Sequence, residues 1–255
     1  MVTVLRLLAA LESRFLFFPT AAADDWSEPD DFQKCDLTFS AGSTAVHAWW
    51  CPRDGATGAV LYCHGNGGNL SHRLRVYRAL QTAHNVSVLA FDYPGYGKSG
   101  GRPSEAGCYA AAQAAFDWLT TTAGVAAERV ILFGESLGGG VAVELATRRP
   151  CRALVLFSTF TSLPDVAKNR IPFLPAQTLM SNRFESVRKL AAIRRPVFIA
   201  HGDADRLIPL HLAEAMYAAA NEPKALHVDP GRGHTLMLTP AFHAALDEFL
   251  TKHAP

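Results

Sequence analysis

Apolar residues in this chain come in short continuous runs, separated by longer stretches with helical periodicity. The runs are Ala59–Cys63 (AVLYC), Val86–Phe91 (VSVLAF), Arg129–Phe133 (RVILF), Ala153–Phe157 (ALVLF), Val197–Ala200 (VFIA) and Ala225–Val228 (ALHV). Runs this short, with little polar alternation, predict strands buried on both faces. An earlier segment, Ser43–Cys51, predicts an antiparallel strand. Helical patterns fall over Leu70–His84, Ser104–Thr122, Leu137–Arg148, Glu185–Ile193, Leu210–Asn221 and Pro240–Lys252, with Ser104 as an N-cap. Strands alternating with helices predict the α/β class, here a mostly parallel central sheet of about eight strands with helices on both faces. One connection, Ser158 to about Phe184, is long and carries Pro164, Pro172 and Pro175. Loops of that length inside a compact domain are usually functional.

Composition narrows the class without naming a chemistry. The chain has 255 residues, 24 Lys+Arg against 23 Asp+Glu, 49% hydrophobic residues and 15 Phe. So large an apolar share excludes intrinsic disorder, and the near-neutral balance argues against nucleic-acid binding. The elements fit one domain over residues 31–255, with a short cap-like excursion at 158–184, preceded by an apolar segment over residues 1–30. Residues 1–18 are interrupted by Arg6, Glu12 and Arg14, so no spanning helix is expected. They predict an amphipathic helix packed on the domain, with an interfacial helix resting on a membrane as the alternative. Ala21-Ala22-Ala23 resembles a leader cleavage site, which makes export a further alternative to a cytoplasmic location. Cys35, Cys51, Cys63, Cys108 and Cys151 are odd in number and form no C-x-x-C, which points to free thiols rather than a disulfide framework or zinc site. A Cys35–Cys51 bridge is the one pairing to consider.

The order of residues supplies the chemistry. Gly134-Glu135-Ser136-Leu137-Gly138 follows a predicted strand and opens a predicted helix. A nucleophile on so sharp a turn needs small neighbours, and the turn lifts the serine hydroxyl clear of the sheet while aiming the Leu137 N–H at the reacting carbonyl. A serine needs a base. Of ten histidines, His234 in Gly231-Arg232-Gly233-His234 lies just past the last strand, at the edge where open α/β sheets build their sites. His64 and His201 end strands and are expected to shape their loops. The carboxylate that orients the base is Asp203 or Asp205, with Asp165 as a third candidate; spacing does not separate them. A second oxyanion donor is expected from the loop His64-Gly65-Asn66-Gly67-Gly68-Asn69.

These motifs, with FDYPGYGKSGGRPSE between them and HGDADRLIP near the end, are similar in order and spacing to those of serine-type α/β-hydrolases, over nearly the whole chain. The chain most resembles small esterase-like members without a large cap domain, including the fungal bud-emergence type and the serine-aminopeptidase-like group. The resemblance implies the α/β-hydrolase fold, Ser136 as nucleophile, Asp205 as acid, His234 as base, the backbone N–H groups of Asn66 and Leu137 as oxyanion donors, and no cofactor or metal. The implied activity is carboxylester hydrolysis through an acyl-enzyme; because the excursion at 158–184 is short enough to shield the site only partly, small acyl esters of short to medium chain length are the expected substrates. Acyl-protein or lipid thioester cleavage and aminopeptidase activity are the alternatives. The amine-recognising acid of a peptidase would be Glu135 or Asp165. Depalmitoylating animal relatives carry a cysteine-rich N-terminal segment, which has no counterpart before Cys35. A non-catalytic binding protein on the same scaffold is the rival from another class, but no triad member is missing. Phe160, Leu163, Ile171, Phe173, Leu174, Leu179 and Met180 are expected to wall the acyl pocket.

Other motifs fit less well. Gly95-Tyr96-Gly97-Lys98-Ser99-Gly100 matches G-x-G-x-x-G, but Gly101 and Pro103 continue a loop where a dinucleotide site needs a helix. Gly97-Lys98-Ser99 ends like a phosphate-binding loop, yet Asp92 stands where the first glycine belongs. Arg73, Arg75 and Arg78 are expected on a solvated helix face.

Overall fold

The computed structural model describes residues 12–173, 175–234 and 238–254. Its strands are β1 (Phe18–Pro19), β2 (Cys35–Ala41), β3 (Thr44–Cys51), β4 (Gly58–Cys63), β5 (Gly67–Gly68), β6 (Val86–Phe91), β7 (Val130–Glu135), β8 (Ala153–Phe157), β9 (Val197–Gly202) and β10 (Lys224–Asp229). Eight of them form one sheet in the order β10-β9-β8-β7-β4-β6-β3-β2. β3 runs antiparallel to both neighbours, β2 and β6. The other pairings in this sheet are parallel.

Continuous apolar strands arise because each face of the sheet is covered. Leu61 and Leu132 point into one core, which the helices Glu105–Thr121, Leu137–Arg148 and Leu210–Ala219 close. Their neighbours Val60, Tyr62, Ile131 and Phe133 point into the other, closed by Leu74–His84 and Pro240–His253. Successive strand residues face opposite sides, so a two-sided core demands unbroken hydrophobicity.

The order also fixes where a site can form. From β4 the chain crosses to β6 on one side, and from β7 to β8 on the other. The loops that follow β4 and β7 therefore diverge, leaving a crevice at the strands' carboxyl ends. The expected strands all occur, within a few residues. β2 is an addition: its polar and apolar residues alternate (CDLTFSA) on an edge whose outer face meets water. The long excursion also holds structure that its prolines concealed. Ser162 caps the helix Leu163–Arg170 by accepting a hydrogen bond from the Asp165 N–H, and Pro164 sits in the first turn, where a missing N–H costs nothing. A short helix, Ala176–Leu179, follows.

Of the apolar N-terminal segment, residues 1–11 lie outside the described residues. From residue 12 it packs on the domain: Phe17 is buried, and β1 pairs in parallel with β5. No helix among the described residues is long and apolar enough to cross a membrane.

All five cysteines are free thiols, and only Cys35 is exposed. Burial pushes the Cys51 thiol, and likewise that of Cys151, up to about 12. Native protein treated with iodoacetamide is expected to gain one adduct quickly, at Cys35, by intact mass; rapid modification of a second thiol would contradict the buried placement.

Candidate active site

Ser136 stands between β7 and the helix Leu137–Arg148, with φ 51° and ψ −114°. A positive φ costs a serine energy, and neighbouring groups hold it there. Its N–H donates to the Phe157 carbonyl (2.9 Å), and its carbonyl accepts from the Gly139 N–H (2.9 Å) and the Thr159 hydroxyl (2.9 Å). The flanking glycines are steric requirements: a Cβ on Gly134 would lie 2.5 Å from the Gly138 carbonyl oxygen, and one on Gly138 would lie 2.0 Å from that of Cys63.

The Ser136 Oγ lies 3.0 Å from His234 Nε2, and His234 Nδ1 lies 2.7 Å from Asp205 Oδ2. Asp205 is buried, and its other oxygen accepts the N–H groups of Leu207 (2.8 Å) and Ile208 (2.9 Å). Burial raises this carboxyl, but the hydrogen bond from His234 and those from the backbone outweigh it and leave it below the ordinary carboxylate range. Asp203 has a different task. Its carboxylate accepts from the Gly231 N–H (2.6 Å), tying the loop that carries His234 back to the end of β9. His201, also buried, lies 2.7 Å from the Ile208 carbonyl through Nε2; burial lowers its pKa and favours the neutral ring.

Of the two expected oxyanion donors, Leu137 follows Ser136 directly and Asn66 lines the same cavity as Ser136. Leu137 opens a helix, where first-turn N–H groups have no intrahelical acceptor. Asn66 is held from three sides: its Oδ1 accepts from the Tyr96 hydroxyl (2.8 Å), its Nδ2 donates to the Leu16 carbonyl (2.7 Å), and β1 pairs with β5 immediately after it. Tyr93 donates to the His64 carbonyl (2.8 Å). The loop after β6 is therefore a buttress for the loop after β4.

One network was not foreseen. Glu135 accepts from the Tyr62 hydroxyl (2.5 Å) and from Arg73 Nε (3.0 Å), while Arg73 Nη2 donates to the Gly67 carbonyl (3.0 Å). Arg73 is thus not on a solvated face, as its sequence cluster implied; it turns inward to a carboxylate. Arg78 pairs with Asp31 at the surface, and Arg75 is exposed. Nothing in the sequence pairs Arg73 with a residue sixty positions later.

A cavity of about 1040 Å³ opens over Ser136 and His234. Four of the seven expected pocket residues line it: Phe160, Leu163, Ile171 and Met180. Phe173 and Leu179 do not. They stand 97% and 62% exposed: Phe173 lies in the turn after the helix Leu163–Arg170, and the helix Ala176–Leu179 buries Ala176 rather than Leu179. Leu174 lies outside the described residues. Phe15, Leu16 and Phe18 from the N-terminal segment supply walls that the sequence did not reveal, as do Leu207 and Ile208.

Residues 58–187 match the family model for the alpha/beta hydrolase fold. The chain is 45% identical over 188 residues to an uncharacterized Mycobacterium tuberculosis protein, covering 73% of this chain and 66% of that one. It is 34% identical over 259 residues to alpha/beta hydrolase domain-containing protein 17C of Xenopus tropicalis, covering 93% and 79%. Among solved structures, a Pyrococcus furiosus esterase superposes with a TM-score of 0.75 at 19% identity, covering 94% and 98%. The chain belongs to the α/β-hydrolase family.

Two outcomes follow from the site's charges. Because the folded chain holds Asp205 below its unfolded value of about 3.9, its ionisation stabilises the fold above that pH, and the benefit is lost as pH falls through the native pKa. The stability gap between wild type and Asp205→Asn, measured by urea unfolding, should narrow between about pH 7 and pH 3; a constant gap would count against the bonded carboxylate. Glu135→Ala strands Arg73 and Tyr62 and should lower stability by about 2 kcal/mol, part of which the added change Arg73→Met restores. Full additivity of the two would show that they do not interact.

Proposed function

We propose that this α/β-hydrolase is a serine carboxylesterase that cleaves acyl esters of short to medium chain length through an acyl-enzyme. The observation that carries the reading is the unbroken relay from Ser136 Oγ to His234 Nε2 (3.0 Å) and from His234 Nδ1 to Asp205 (2.7 Å) at the floor of the cavity.

In the first half-reaction Ser136 attacks the ester carbonyl while His234 takes the hydroxyl proton at Nε2. The oxyanion is received by the N–H groups of Asn66 and Leu137. His234 then gives its proton to the departing alkoxide. In the second half-reaction His234 takes a proton from water, which attacks the acyl-enzyme, and passes that proton to Ser136 Oγ as the acyl group leaves as the acid. Asp205 accepts the Nδ1–H throughout, fixing the tautomer and stabilising the imidazolium.

The chain-length part of the proposal is supported by burial along the cavity. Phe160, Leu137 and Ile208 are buried beside Ser136, whereas Phe15, Phe18 and Ile171 stand exposed at the mouth. A short or medium chain is enclosed; a longer one would emerge among the rim residues. Cleavage of amides next to a free amine is less well supported. Glu135 is committed to Arg73 and Tyr62, and Asp165, bonded to Thr161, Ser162 and Gln177, does not line the cavity.

Ser136→Ala should lower kcat/KM on a soluble aryl ester by about four to six orders of magnitude. Near-normal turnover by that variant would sink the assignment. Across a series of aryl esters, wild type should peak at short to medium acyl chains; a maximum at long chains would overturn the chain-length reading.

A further inference from the structure

Five large apolar side chains stand exposed among the described residues: Phe15, Phe18, Ile171, Phe173 and Leu179. They come from two short segments that meet in space. The Glu12 carboxylate accepts the N–H groups of Ser181 (2.9 Å) and Asn182 (2.9 Å), and Phe17 packs edge-on against Phe184. Phe15, Phe18 and Ile171 line the same cavity as Ser136 and His234; Phe173 and Leu179 follow Ile171 on the same excursion. Exposed apolar residues scattered singly need no explanation, but three at one cavity, with two more on the short excursion that carries Ile171, mark an interaction surface.

Charge indicates the partner. Arg75 and Arg170 line the mouth, Lys168 lies on the same helix as Arg170, and Arg14 precedes Phe15; all four are exposed. None of them has an ion-pair partner among the described residues. Glu135, the carboxylate that lines the cavity, is paired with Arg73. Asp165, in the first turn of the helix that carries Lys168 and Arg170, turns to Thr161, Ser162 and Gln177, and Glu12 caps backbone N–H groups. A second copy of the chain docked face to face would set these cations against their own kind. Aromatic and aliphatic side chains ringed by uncompensated arginine and lysine instead fit a surface with an apolar interior and anionic headgroups.

We propose that the rim of the cavity is a docking surface for an anionic lipid bilayer. Phe15, Phe18, Ile171, Phe173 and Leu179 enter the acyl layer, while Arg14, Arg75, Lys168 and Arg170 meet the headgroups. The cavity then opens into the bilayer, and an acyl ester held there reaches Ser136 without crossing water. That last step rests on the esterase reading; the docking does not.

The test uses the full chain carrying Ser136→Ala, so that binding is read without turnover. It is sedimented with vesicles of phosphatidylcholine alone, or of phosphatidylcholine with about a third phosphatidylglycerol. Partitioning onto the anionic vesicles should be stronger by about tenfold or more and should weaken with added salt. Phe173→Glu with Leu179→Glu, at two exposed positions outside the cavity lining, should cut that binding about tenfold. Lys168→Glu should cut it severalfold. In the otherwise wild-type chain the same changes should leave hydrolysis of a water-soluble aryl ester unaltered. Equal partitioning onto both vesicles, or an undiminished double variant, would overturn the proposal. So would a dimer in dilute solution that the double variant converts to monomer. Loss of vesicle binding beside intact esterase activity refutes the docking alone, and intact binding beside a fully active Ser136→Ala refutes the esterase alone.

Discussion

A non-glycine residue held at a strained, positive φ costs about 1–3 kcal/mol, and the structure around it must over-determine the conformation. Ser136, at φ 51°, is such a residue, and much of the site's architecture serves to keep it there. The Phe157 carbonyl at the end of β8 takes its N–H, and Thr159, just beyond, donates to its carbonyl. The crowded turn excludes side chains at Gly134 and Gly138, because the helix that follows must pass close to the ends of β4 and β7. That close passage in turn sets the first N–H of the helix beside the loop after β4. The strained serine, the glycines around it and the pair of N–H groups are one geometric requirement seen from three places.

The charges around Ser136 are divided with similar economy. Two carboxylates come near the reacting groups, and each has a separate partner. Asp205 faces His234, where a positive charge would develop, and backbone N–H groups hold it ionised. Glu135 adjoins Ser136, where an unpaired negative charge would oppose an oxyanion. Arg73 neutralises it and, by reaching on to the Gly67 carbonyl, also braces the loop after β4. Burial and the neighbouring carboxylate hold the Tyr62 hydroxyl well above its ordinary pKa, so it remains a donor to that pair.

What could be read from sequence depended on whether the cause was local. The buried strands announced themselves because two-sided burial writes hydrophobicity continuously into the chain, as at β4 and β6. Ser136 and His234 were legible because a strand-to-helix turn and a strand-end loop leave local glycine signatures. Asp205 and Asp203 lie two residues apart on one loop, and only the fold shows that one meets His234 while the other ties down the Gly231 turn. Arg73 was misread because its helix face looks solvated until β7 brings Glu135 beside it. Phe173 and Leu179 were misread for the opposite reason: hydrophobicity implied burial, but Phe173 stands in a turn and Leu179 on the outer side of a one-turn helix.

The N-terminal segment changes character most. Along the sequence it reads as an appendage, apolar and interrupted by charge, separable from the catalytic domain. In the fold its described part is woven into the loop after β4. The Leu16 carbonyl accepts from the Asn66 side chain, the Thr20 N–H donates to the Gly68 carbonyl, and Thr20 and Ala22 exchange hydrogen bonds with Gly97. The segment therefore bridges the loops after β4 and β6. To act as the proposed oxyanion donor, Asn66 would have to present its N–H without rotating away, and a loop rich in glycine cannot provide that rigidity from its own sequence. It takes the rigidity from a strand supplied by residues fifty positions earlier. Removing the segment would leave the chain positions of Ser136, Asp205 and His234 intact while freeing the loop after β4, the loop proposed to receive the oxyanion. A truncation that abolished both membrane contact and turnover would thus be ambiguous, whereas point changes on the exposed rim keep those two properties separable.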